Sequence, residues 1–385
     1  MKILVLGSGR MGLGAAFDLA HNSPEVESVT IADLDVERAR SVAAAVKSDK
    51  LRPVGIDVTN DREVIELMRG HDSVISCVVY HHNLRLARAA IEARVNFCDL
   101  GGNNSVVMDE LLLDEAARGA SINIIPDCGL APGMVSILAA HGASGFEQLE
   151  EIHIRVGGLP LNPLPPLNYQ LIFSVEGLIN EYVERARVIR DGHIVEVDSM
   201  TEIESLSFAP PFTELEAFQT SGGTSTLPEF FAGRVRELDY KTIRYPGHCE
   251  QFKLLIDLGL AASEEIEVGG AGRISPRHVL EEMLRRRLPA DEPDVVLVRV
   301  EFVGVSREAK QRLRYDIIDR FDERTGLSAM MRTTAFPASV IAQMMARGEI
   351  KEKGAVPQER AVPPDSFVAE LAKRNIQITT TIEKR

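Results

Sequence analysis

The first third of the chain alternates short apolar runs with helical patterns, and this rhythm constrains the fold more than any other feature. The apolar runs, between residues 2 and 129, are KILVLG, ESVTIAD, RPVGID, DSVISCVVY, VNFCDLGG and INIIPDCG. Continuous runs of Val, Ile and Leu are typical of strands covered on both faces, as in a parallel sheet. Helical patterns begin near residues 11, 36, 61, 83 and 107. The alternation predicts an α/β fold with a doubly wound parallel sheet of the Rossmann type.

A glycine-rich turn joins the first apolar run to the first helical pattern. It reads GSGRMG, with Gly7, Gly9 and Gly12 in G-x-G-x-x-G spacing, and Asp33 ends the next apolar run. In such a turn, Gly7 permits the tight bend, Gly9 lets a pyrophosphate approach, and Gly12 lets the helix pack closely on the strand. The pyrophosphate then lies at a helix N-terminus. The sequence therefore predicts a dinucleotide site in which Asp33 accepts the ribose hydroxyls.

The charges around Asp33 favour NAD over NADP, because Asp33 and Asp35 would repel a 2′-phosphate. Arg38 is the nearby cation, and we interpret it as a solvated helix residue. Since ligands of this fold lie beyond the carboxyl ends of the strands, further cofactor contacts are expected at the later strand ends. The predicted cofactor-binding residues are Gly7, Gly9, Arg10, Met11, Gly12, Asp33, Asp57, Cys77, Val78, Asp99, Gly101, Asp127 and Cys128.

From about residue 149 the pattern changes to strands, several of them alternating in polarity, which predicts a second domain with a mostly antiparallel sheet. The predicted strands are EEIHIRVGG, NYQLIFSV, ARVIRDGHIVEV with a hairpin turn at Asp191-Gly192, ELDYKTIRY, DVVLVRVEFVGV and QRLRYDIIDRFD. The stretch FQTSGGTST is either a mobile flap or a plain surface turn. The predicted domains are residues 1–131 for dinucleotide binding, 132–334 for substrate binding and dimerisation, and 335–385 as a segment that returns to the first domain.

The stretch DYKTIRYPGH carries more polar side chains than a strand and a turn require. In an extended strand, Lys241 and Tyr245 share one face. Thr242 and Arg244 share the other face. After a Pro-Gly turn, the spacing of HCEQFKLLIDLG predicts a helix that begins near His248. These polar groups are therefore candidates for substrate contact.

Five motifs together resemble the saccharopine dehydrogenase-like family, closest to its branch of L-lysine 6-dehydrogenases. They are GSGRMG, DCGLAPGM, FSVEGLINEY, DYKTIRYPGH and DERTGLSAMMRTTAFP, and the resemblance covers nearly the whole chain. It implies a Rossmann domain, an inserted α/β domain for substrate binding and dimer contacts, and a C-terminal return to the first domain. It also implies NAD-dependent oxidation of the side-chain amine of lysine to the semialdehyde, with release of ammonia.

Within that chemistry, Arg244 is expected to bind the substrate carboxylate, because its planar guanidinium matches a carboxylate in geometry. A helix N-terminus disfavours imidazolium, so His248 is expected to be neutral and able to accept the amine proton near pH 7. Failing His248, Lys241 takes this catalytic role, and Tyr245 and Thr242 are further predicted substrate contacts. The alternatives are an internal ion pair for Arg244 and a helix cap for His248.

Two other functions remain open on the sequence alone. A reductase that forms or cleaves a secondary amine, such as saccharopine or carboxynorspermidine, would need a second carboxylate site. Arg155 and Arg332 are weaker candidates for it than Arg244. A protein of another class, which senses NAD without catalysis, would lack polar groups near the nicotinamide.

Charge and cysteine content limit the partners. The net charge of −14 argues against nucleic acid or an anionic membrane surface as the main ligand. No run of about eighteen apolar residues occurs, and the N-terminal apolar run is too short and glycine-broken for a signal peptide. The four cysteines show no paired metal spacing, so free thiols and no metal are expected. These features predict a cytoplasmic enzyme for a small amino acid, and the resemblance implies a homodimer or higher homo-oligomer.

Overall fold

The computed structural model describes residues 1–270 and 272–384, which form two compact units. The first unit contains residues 1–147, 225–230 and 331–378, and the second contains residues 148–224, 231–330 and 379–384. This division differs from the predicted boundaries, and residues 225–230 and 331–334, for example, belong to the first unit. The helix that follows residue 132 stays with the first unit, and the last strand belongs to the second.

The helices and strands follow one another along the chain as β1 (Lys2–Leu6), α1 (Arg10–His21), β2 (Ser28–Asp33), α2 (Val36–Val46), β3 (Leu51–Gly55), α3 (Asp61–Met68), β4 (Ser73–Ser76), a 3₁₀ turn (Tyr80–His82), α4 (Asn83–Ala93), β5 (Asn96–Asp99), α5 (Asn104–Leu111), α6 (Asp114–Ala120), β6 (Asn123–Ile125), α7 (Met134–Ala143), β7 (Gln148–Pro160), α8 (Val175–Val183), β8 (Ala186–Arg190), β9 (His193–Val197), β10 (Glu204–Leu206), β11 (Leu215–Gln219), α9 (Leu227–Phe231), β12 (Glu237–Arg244), α10 (His248–Asp257), β13 (Ile266–Val268), β14 (Gly272–Ile274), α11 (Pro276–Arg287), β15 (Asp294–Ser306), β16 (Ala309–Arg320), α12 (Ala329–Ala346), β17 (Gly354–Ala355), α13 (Gln358–Ala361), α14 (Pro364–Lys373) and β18 (Thr379–Lys384). None of these helices is both long and apolar enough to cross a membrane.

A seven-stranded parallel sheet forms the centre of the first unit, in the order β17-β6-β5-β4-β1-β2-β3. The apolar residues of β1, Ile3 to Leu6, are fully buried because helices cover both faces of the sheet. The sheet confirms the predicted fold class. Its strand order reverses beside β1, so the carboxyl ends of β1 and β4 flank the place where such sheets bind ligands.

One helix of the first unit begins earlier than its pattern predicts. The helix expected from residue 107 starts at Asn104, because the side chain of Asn103 accepts the backbone N–H groups of Ser105 and Val106. Such a side-chain cap satisfies amide groups that the first helical turn leaves free. A second short helix, α6, follows before β6.

A nine-stranded sheet forms the second unit, with the order β10-β11-β12-β7-β15-β16-β18 and with β8 joining β12 to β9. The pairing of β12 with β7 is parallel, and the other pairs that the structure describes in this sheet are antiparallel. The mostly antiparallel sheet is confirmed, as is the hairpin between β8 and β9. A separate core includes residues of α8, α10 and α11, with Tyr182, Phe252 and Leu284 among them.

Two predictions for the second unit are wrong. The stretch NYQLIFSV forms no strand: residues 168–174 are irregular, Leu171 N–H donates to the Pro289 carbonyl, and α8 begins after its cap, Ser174. The stretch FQTSGGTST is neither an exposed flap nor a surface turn, since Thr220, Ser225 and most residues between them are buried. In both stretches, packing overrides local propensity.

Candidate functional site

The glycine turn between β1 and α1 has the form that a pyrophosphate requires. A Cβ atom on Gly12 would lie 1.9 Å from the Gly7 carbonyl oxygen, so Gly12 is needed for packing. A Cβ on Gly9 would meet nothing within 4 Å, so the space in front of this helix N-terminus is open. The Ser8 hydroxyl is buried without a hydrogen-bond partner. An open approach, a helix N-terminus and an orphaned hydroxyl fit a dinucleotide phosphate.

Asp33 is held beside this turn by two backbone amides. The Ser8 N–H donates to Asp33 Oδ2 at 2.7 Å, and the Asp35 N–H donates to Oδ1 at 3.0 Å. The Asp35 side chain caps α2 by accepting the Glu37 N–H at 3.0 Å. Arg38 is exposed and lies 3.8 Å from Asp35. The carboxylate of Asp33 is thus fixed at the end of β2, where a ribose would be recognised.

The remaining predicted cofactor residues lie at the same edge of the parallel sheet. They follow or end successive strands: Arg10 and Met11 open α1, Asp57 follows β3, Cys77 and Val78 follow β4, Asp99 ends β5 with Gly101 beyond it, and Asp127 and Cys128 follow β6. Their roles toward a cofactor stay predictions. The structure does bring them together along one edge.

Three buried carboxyl groups lie near this edge: Asp99, Glu110 and Asp127. Asp99 Oδ1 accepts the backbone N–H groups of Gly101 at 2.6 Å and of Asp127 at 3.2 Å. Burial raises the pKa of Asp99, and burial together with the charge of Asp99 raises the pKa of Glu110 to about 11. The same two causes raise the pKa of Asp127 to about 8. With a pKa of about 8, Asp127 is therefore able to exchange a proton near neutral pH.

Asp127 is held in an unusual backbone conformation, with φ of 59°. Its Oδ2 accepts a hydrogen bond from the Ser225 hydroxyl, while its Oδ1 is buried without a partner. A Cβ atom on Gly101 would lie 1.8 Å from Oδ1, so this glycine makes room for the carboxyl group. Sequence reasoning missed Ser225, which is 98 residues away in the chain. It also missed Glu110, for which no local signal exists.

In the second unit, a continuous hydrogen-bonded chain surrounds Arg244. Its Nε donates to the Tyr182 hydroxyl at 2.8 Å, which lies 3.0 Å from His248 Nε2. His248 Nδ1 lies 3.0 Å from the Leu167 carbonyl oxygen. Because a carbonyl only accepts, Nδ1 carries the hydrogen and Nε2 accepts from the tyrosine. The guanidinium also lies over the ring of Tyr169, 4.8 Å from its centroid.

This network argues against His248 as the acceptor of the amine proton. Burial and the positive charge of Arg244 lower the pKa of His248 to about 3. The ring is neutral, as expected, but with this pKa it is too weak a base to take up a second proton near pH 7. His248 is not the helix cap either, because Glu216 accepts the N–H groups of Gly247 at 2.9 Å and of Cys249 at 2.7 Å.

Lys241 lies in a different charged cluster, which argues against it as a substitute for His248. Its Nζ donates to the Glu202 carbonyl at 2.7 Å and to Glu204 Oε2 at 2.9 Å. Arg155, its neighbour across the parallel pair, binds Glu204 and also donates to Asp239 at 3.0 Å. Lys241 and Arg244 are three residues apart on one strand and therefore face opposite sides of the sheet.

The other two predicted substrate residues have internal partners. The Tyr245 hydroxyl donates to the Pro160 carbonyl at 2.9 Å. The Thr242 hydroxyl, on the same face as Arg244, lies 2.7 Å from the Thr220 hydroxyl. Thr242 thus lies on the same face of β12 as Arg244, but its hydroxyl already has a hydrogen-bond partner. Their roles toward a substrate stay predictions.

Arg244 itself is a buried cation without an ion pair. It is 2% exposed, and Nη1 donates to its neighbour's carbonyl at 2.9 Å. Across residues 1–270 and 272–384, no carboxylate oxygen lies within 4.0 Å of its guanidinium. The alternative of an internal ion pair is therefore not realised. Its aromatic partners Tyr169 and Tyr182 were missed by sequence reasoning, since they lie more than sixty residues away in the chain.

Two family models match nearly the whole chain. The saccharopine dehydrogenase NADP binding domain matches residues 3–125, and the saccharopine dehydrogenase C-terminal domain matches residues 129–376. The chain belongs to the saccharopine dehydrogenase family. Membership confirms the family resemblance and supports a pyridine-nucleotide site in the first unit. The lysine 6-dehydrogenase branch stays a prediction.

Similar proteins cover the chain to different extents. It is 25% identical over 279 residues to a saccharopine dehydrogenase [NADP(+), L-glutamate-forming] of Pyricularia oryzae, and the match covers 69% of this chain and 59% of that protein. It is 22% identical over 400 residues to carboxyaminopropylagmatine dehydrogenase of Synechocystis sp., and the match covers 97% of this chain and 96% of that protein. The structure of apo saccharopine dehydrogenase (L-Glu forming) from Saccharomyces cerevisiae has the same fold, with a TM-score of 0.81, 19% identity and 99% of both chains covered.

Proposed function

We propose that the protein is an NAD-dependent oxidoreductase that acts on the C–N bond of an amino acid. Its preferred reaction in this proposal is oxidation of the side-chain amine of L-lysine to the semialdehyde, with release of ammonia. The observation that carries the proposal is Arg244, a buried guanidinium without an ion pair. A buried cation is costly unless a counter-charge compensates it. A substrate carboxylate supplies that charge.

The number of arginines available to bind a substrate carboxylate favours a substrate with one carboxylate. Arg155 is occupied by Asp239 and Glu204, and Arg332 donates to the Arg374 carbonyl at 3.3 Å. Among Arg155, Arg244 and Arg332, we therefore take Arg244 of the second unit as the residue that binds a substrate carboxylate. Saccharopine carries more than one carboxylate, whereas lysine carries a single one. This difference supports lysine.

A second candidate is a reductase that forms or cleaves a secondary amine with a single carboxyl group. The specific observation in its favour is that carboxyaminopropylagmatine dehydrogenase, and carboxynorspermidine synthase of Vibrio cholerae, match the chain over almost their full length. A single anchor also suits such substrates. Release of free ammonia separates the two candidates, because a secondary amine yields a primary amine on cleavage.

The residues that would hold the cofactor are those of the glycine turn and Asp33. When bound, the nicotinamide supplies the hydride acceptor for the oxidation. We assign NAD because Asp33 and Asp35 place negative charge where NADP carries its 2′-phosphate. A homospermidine synthase of Legionella pneumophila with the same fold, at 14% identity and a TM-score of 0.72, was solved in complex with NAD.

In this reaction the lysine ammonium, NAD⁺ and water give the aldehyde, ammonium, NADH and one proton. We assign the proton-handling role to Asp127, because its pKa of about 8 suits a group that takes a proton from an amine near neutral pH. Its unpartnered Oδ1 is the atom that would accept it. The Ser225 hydroxyl stabilises the ionised form by donating to Oδ2.

A substrate screen tests this proposal. Purified protein is given lysine, ornithine, saccharopine, diamines and α-amino acids with NAD or with NADP, and reduced nicotinamide is followed by absorbance. We expect lysine with NAD to give the fastest reduction. Reduction with saccharopine alone would favour cleavage of a secondary amine over oxidation of the lysine side chain. Equal rates with NADP would contradict the role given to Asp33, and no reduction with any amine would contradict the proposal as a whole.

A further inference from the structure

Asp99 joins two turns at the carboxyl edge of the parallel sheet. It ends β5, and its Oδ1 accepts the backbone N–H groups of Gly101 at 2.6 Å and of Asp127 at 3.2 Å. Its backbone carbonyl oxygen accepts the N–H of Cys128 at 2.7 Å. One residue therefore binds two successive amides of the turn that follows β6, as well as one amide of its own turn.

These hydrogen bonds hold Asp127 in a backbone conformation that residues other than glycine rarely adopt. Its φ of 59° lies in the left-handed region, which costs free energy when a side chain is present. Such a conformation persists where the surrounding contacts fix it. The amides of Asp127 and of the next residue supply this restraint, because both donate to Asp99.

The turn that Asp99 begins also leaves the space that the Asp127 carboxyl group occupies. Gly101 has φ of 71°, and a Cβ atom on it would lie 1.8 Å from Asp127 Oδ1. This oxygen is buried and has no hydrogen-bond partner among the residues that the structure describes. Because Asp99 Oδ1 also accepts the Gly101 N–H, it fixes this glycine as well. Asp99 thus sets both the conformation of Asp127 and the space for its Oδ1.

We propose that Asp99 is a positioning residue for the reaction: it acts through Asp127, whose Oδ1 it holds in the orientation that accepts the amine proton. This inference rests on the proposed function, in which Asp127 is the proton acceptor. It gives Asp99 a role other than the cofactor contact that its place at a strand end predicts. Asp99 is 0% exposed, which favours contacts within the protein over contact with a bound nicotinamide.

The charge of Asp99 also acts on Asp127. Burial and this charge raise the pKa of Asp127 to about 8; the Ser225 hydroxyl lowers this pKa, and the charge of Glu359 in α13 raises it. Glu110 of α5, with a pKa of about 11, stays protonated and adds no charge near neutral pH. Removal of the Asp99 charge alone should therefore let Asp127 lose its proton at lower pH.

Two substitutions at Asp99 separate the restraint from the charge. Asp99→Asn keeps a carbonyl oxygen for the two amides and removes the charge, whereas Asp99→Leu removes both. We expect the rise of kcat with pH to occur about one pH unit lower in Asp99→Asn than in the unaltered protein. In Asp99→Leu, kcat should be about 10–100-fold below that of Asp99→Asn, with KM for NAD within about twofold, because a displaced carboxyl group no longer reaches the amine proton. Initial rates of NAD reduction are measured with the amine that reacts fastest.

Asp294→Asn is the matched control. Asp294 is also a buried aspartate that accepts two backbone amides, those of Ala329 at 2.6 Å and of Met330 at 2.9 Å, but it lies in the second unit. Its replacement should leave the pH profile of kcat where it is. An unmoved profile in Asp99→Asn, the same shift in the control, or equal kcat in the two Asp99 variants would overturn the inference. So would a loss in Asp99→Leu that appears only as a higher KM for NAD. If Asp99→Leu does not fold, Asp99→Asn and the control decide alone.

A measurement without substrate distinguishes this inference from the proposed function. In protein labelled with carbon-13 at the aspartate carboxyl carbon, the NMR signal that is missing from Asp127→Asn reports the protonation of Asp127. It should titrate at about pH 8 in the unaltered protein and about one pH unit lower in Asp99→Asn. This shift without oxidation of any amine would remove the proposed function and leave the restraint of Asp127 by Asp99 standing. A signal that Asp99→Asn does not move would overturn the inference whatever the turnover.

Discussion

Asp127 and His248 are both buried, yet burial moves their pKa values in opposite directions. Burial disfavours the charged form, so it raises the pKa of the carboxyl group to about 8 and lowers that of the imidazole to about 3. The charge beside each group adds to the shift: Asp99 for the carboxyl group and Arg244 for the ring. These opposite shifts are the reason why we propose Asp127, and not His248, as the proton acceptor.

Asp127→Asn tests this assignment at the residue scale. The carboxylate is ionised, and able to accept a proton, above its pKa of about 8 and protonated below it. In the unaltered protein kcat should therefore rise with pH through about 8. We expect Asp127→Asn to lower kcat by about 10²–10⁴ and to abolish this limb of the pH profile, measured by initial rates of NAD reduction.

Ser225→Ala is the matched control for that experiment, because it keeps the carboxyl group and removes only the hydroxyl that stabilises its ionised form. The rise in kcat should then occur at higher pH, because the pKa of Asp127 increases when the hydrogen bond that lowers it is removed. A pH limb that survives unchanged in Asp127→Asn would contradict the assignment.

At the scale of elements, a buried ion pair joins the C-terminal segment to α1 within the first unit. Arg374, just after α14, donates from Nε to Asp18 Oδ1 at 2.7 Å and from Nη2 to Ser23 at 3.2 Å. The Arg374 and Asp18 side chains are 1% and 0% exposed. Ser339 of α12 donates to the other Asp18 oxygen at 2.5 Å. One carboxylate therefore connects three segments that are far apart in sequence.

Removal of one partner should be strongly destabilising, because it leaves the other charge buried and unpaired. We expect Arg374→Met to lower the free energy of unfolding by about 3–5 kcal/mol, measured by urea denaturation. Arg374→Met combined with Asp18→Asn should cost less than the sum of the two single changes, since the pair is then absent. Arg40→Met, which removes the exposed pair with Glu37, should cost about 0–1 kcal/mol. Equal losses for the buried and exposed pairs would contradict this account.

The elements also show what the sequence could and could not predict. The rhythm of the first third predicts its strands and helices because continuous apolar runs and glycine punctuation act locally. The irregular conformation of residues 168–174 cannot be predicted in this way. The Leu171 N–H donates to the Pro289 carbonyl, which is distant in sequence, and not to a neighbouring strand. Strand geometry predicts that Lys241 and Arg244 lie on opposite faces of β12. Their partners could not be predicted: Tyr182 lies 62 residues from Arg244 in the chain, and no local pattern links them.

At the scale of the whole molecule, net charge and site chemistry favour the same class of substrate. A net charge of −14 creates a long-range field that attracts cations, and lysine carries a net positive charge near neutral pH. In the proposed function, Arg244 provides the local cation that the carboxylate of lysine needs. Membership of the saccharopine dehydrogenase family supports oxidation at a C–N bond. Assembly into a homodimer or higher homo-oligomer stays a prediction.

Isotope release from lysine tests the central claim most directly. The protein is incubated with NAD and with L-lysine carrying nitrogen-15 either at the side-chain amine or at the α-amine, and labelled ammonium is measured by NMR. We predict labelled ammonium from the side-chain label, in step with NADH, and none from the α label. Ammonium from the α label, or NADH formed without ammonium, would contradict the account.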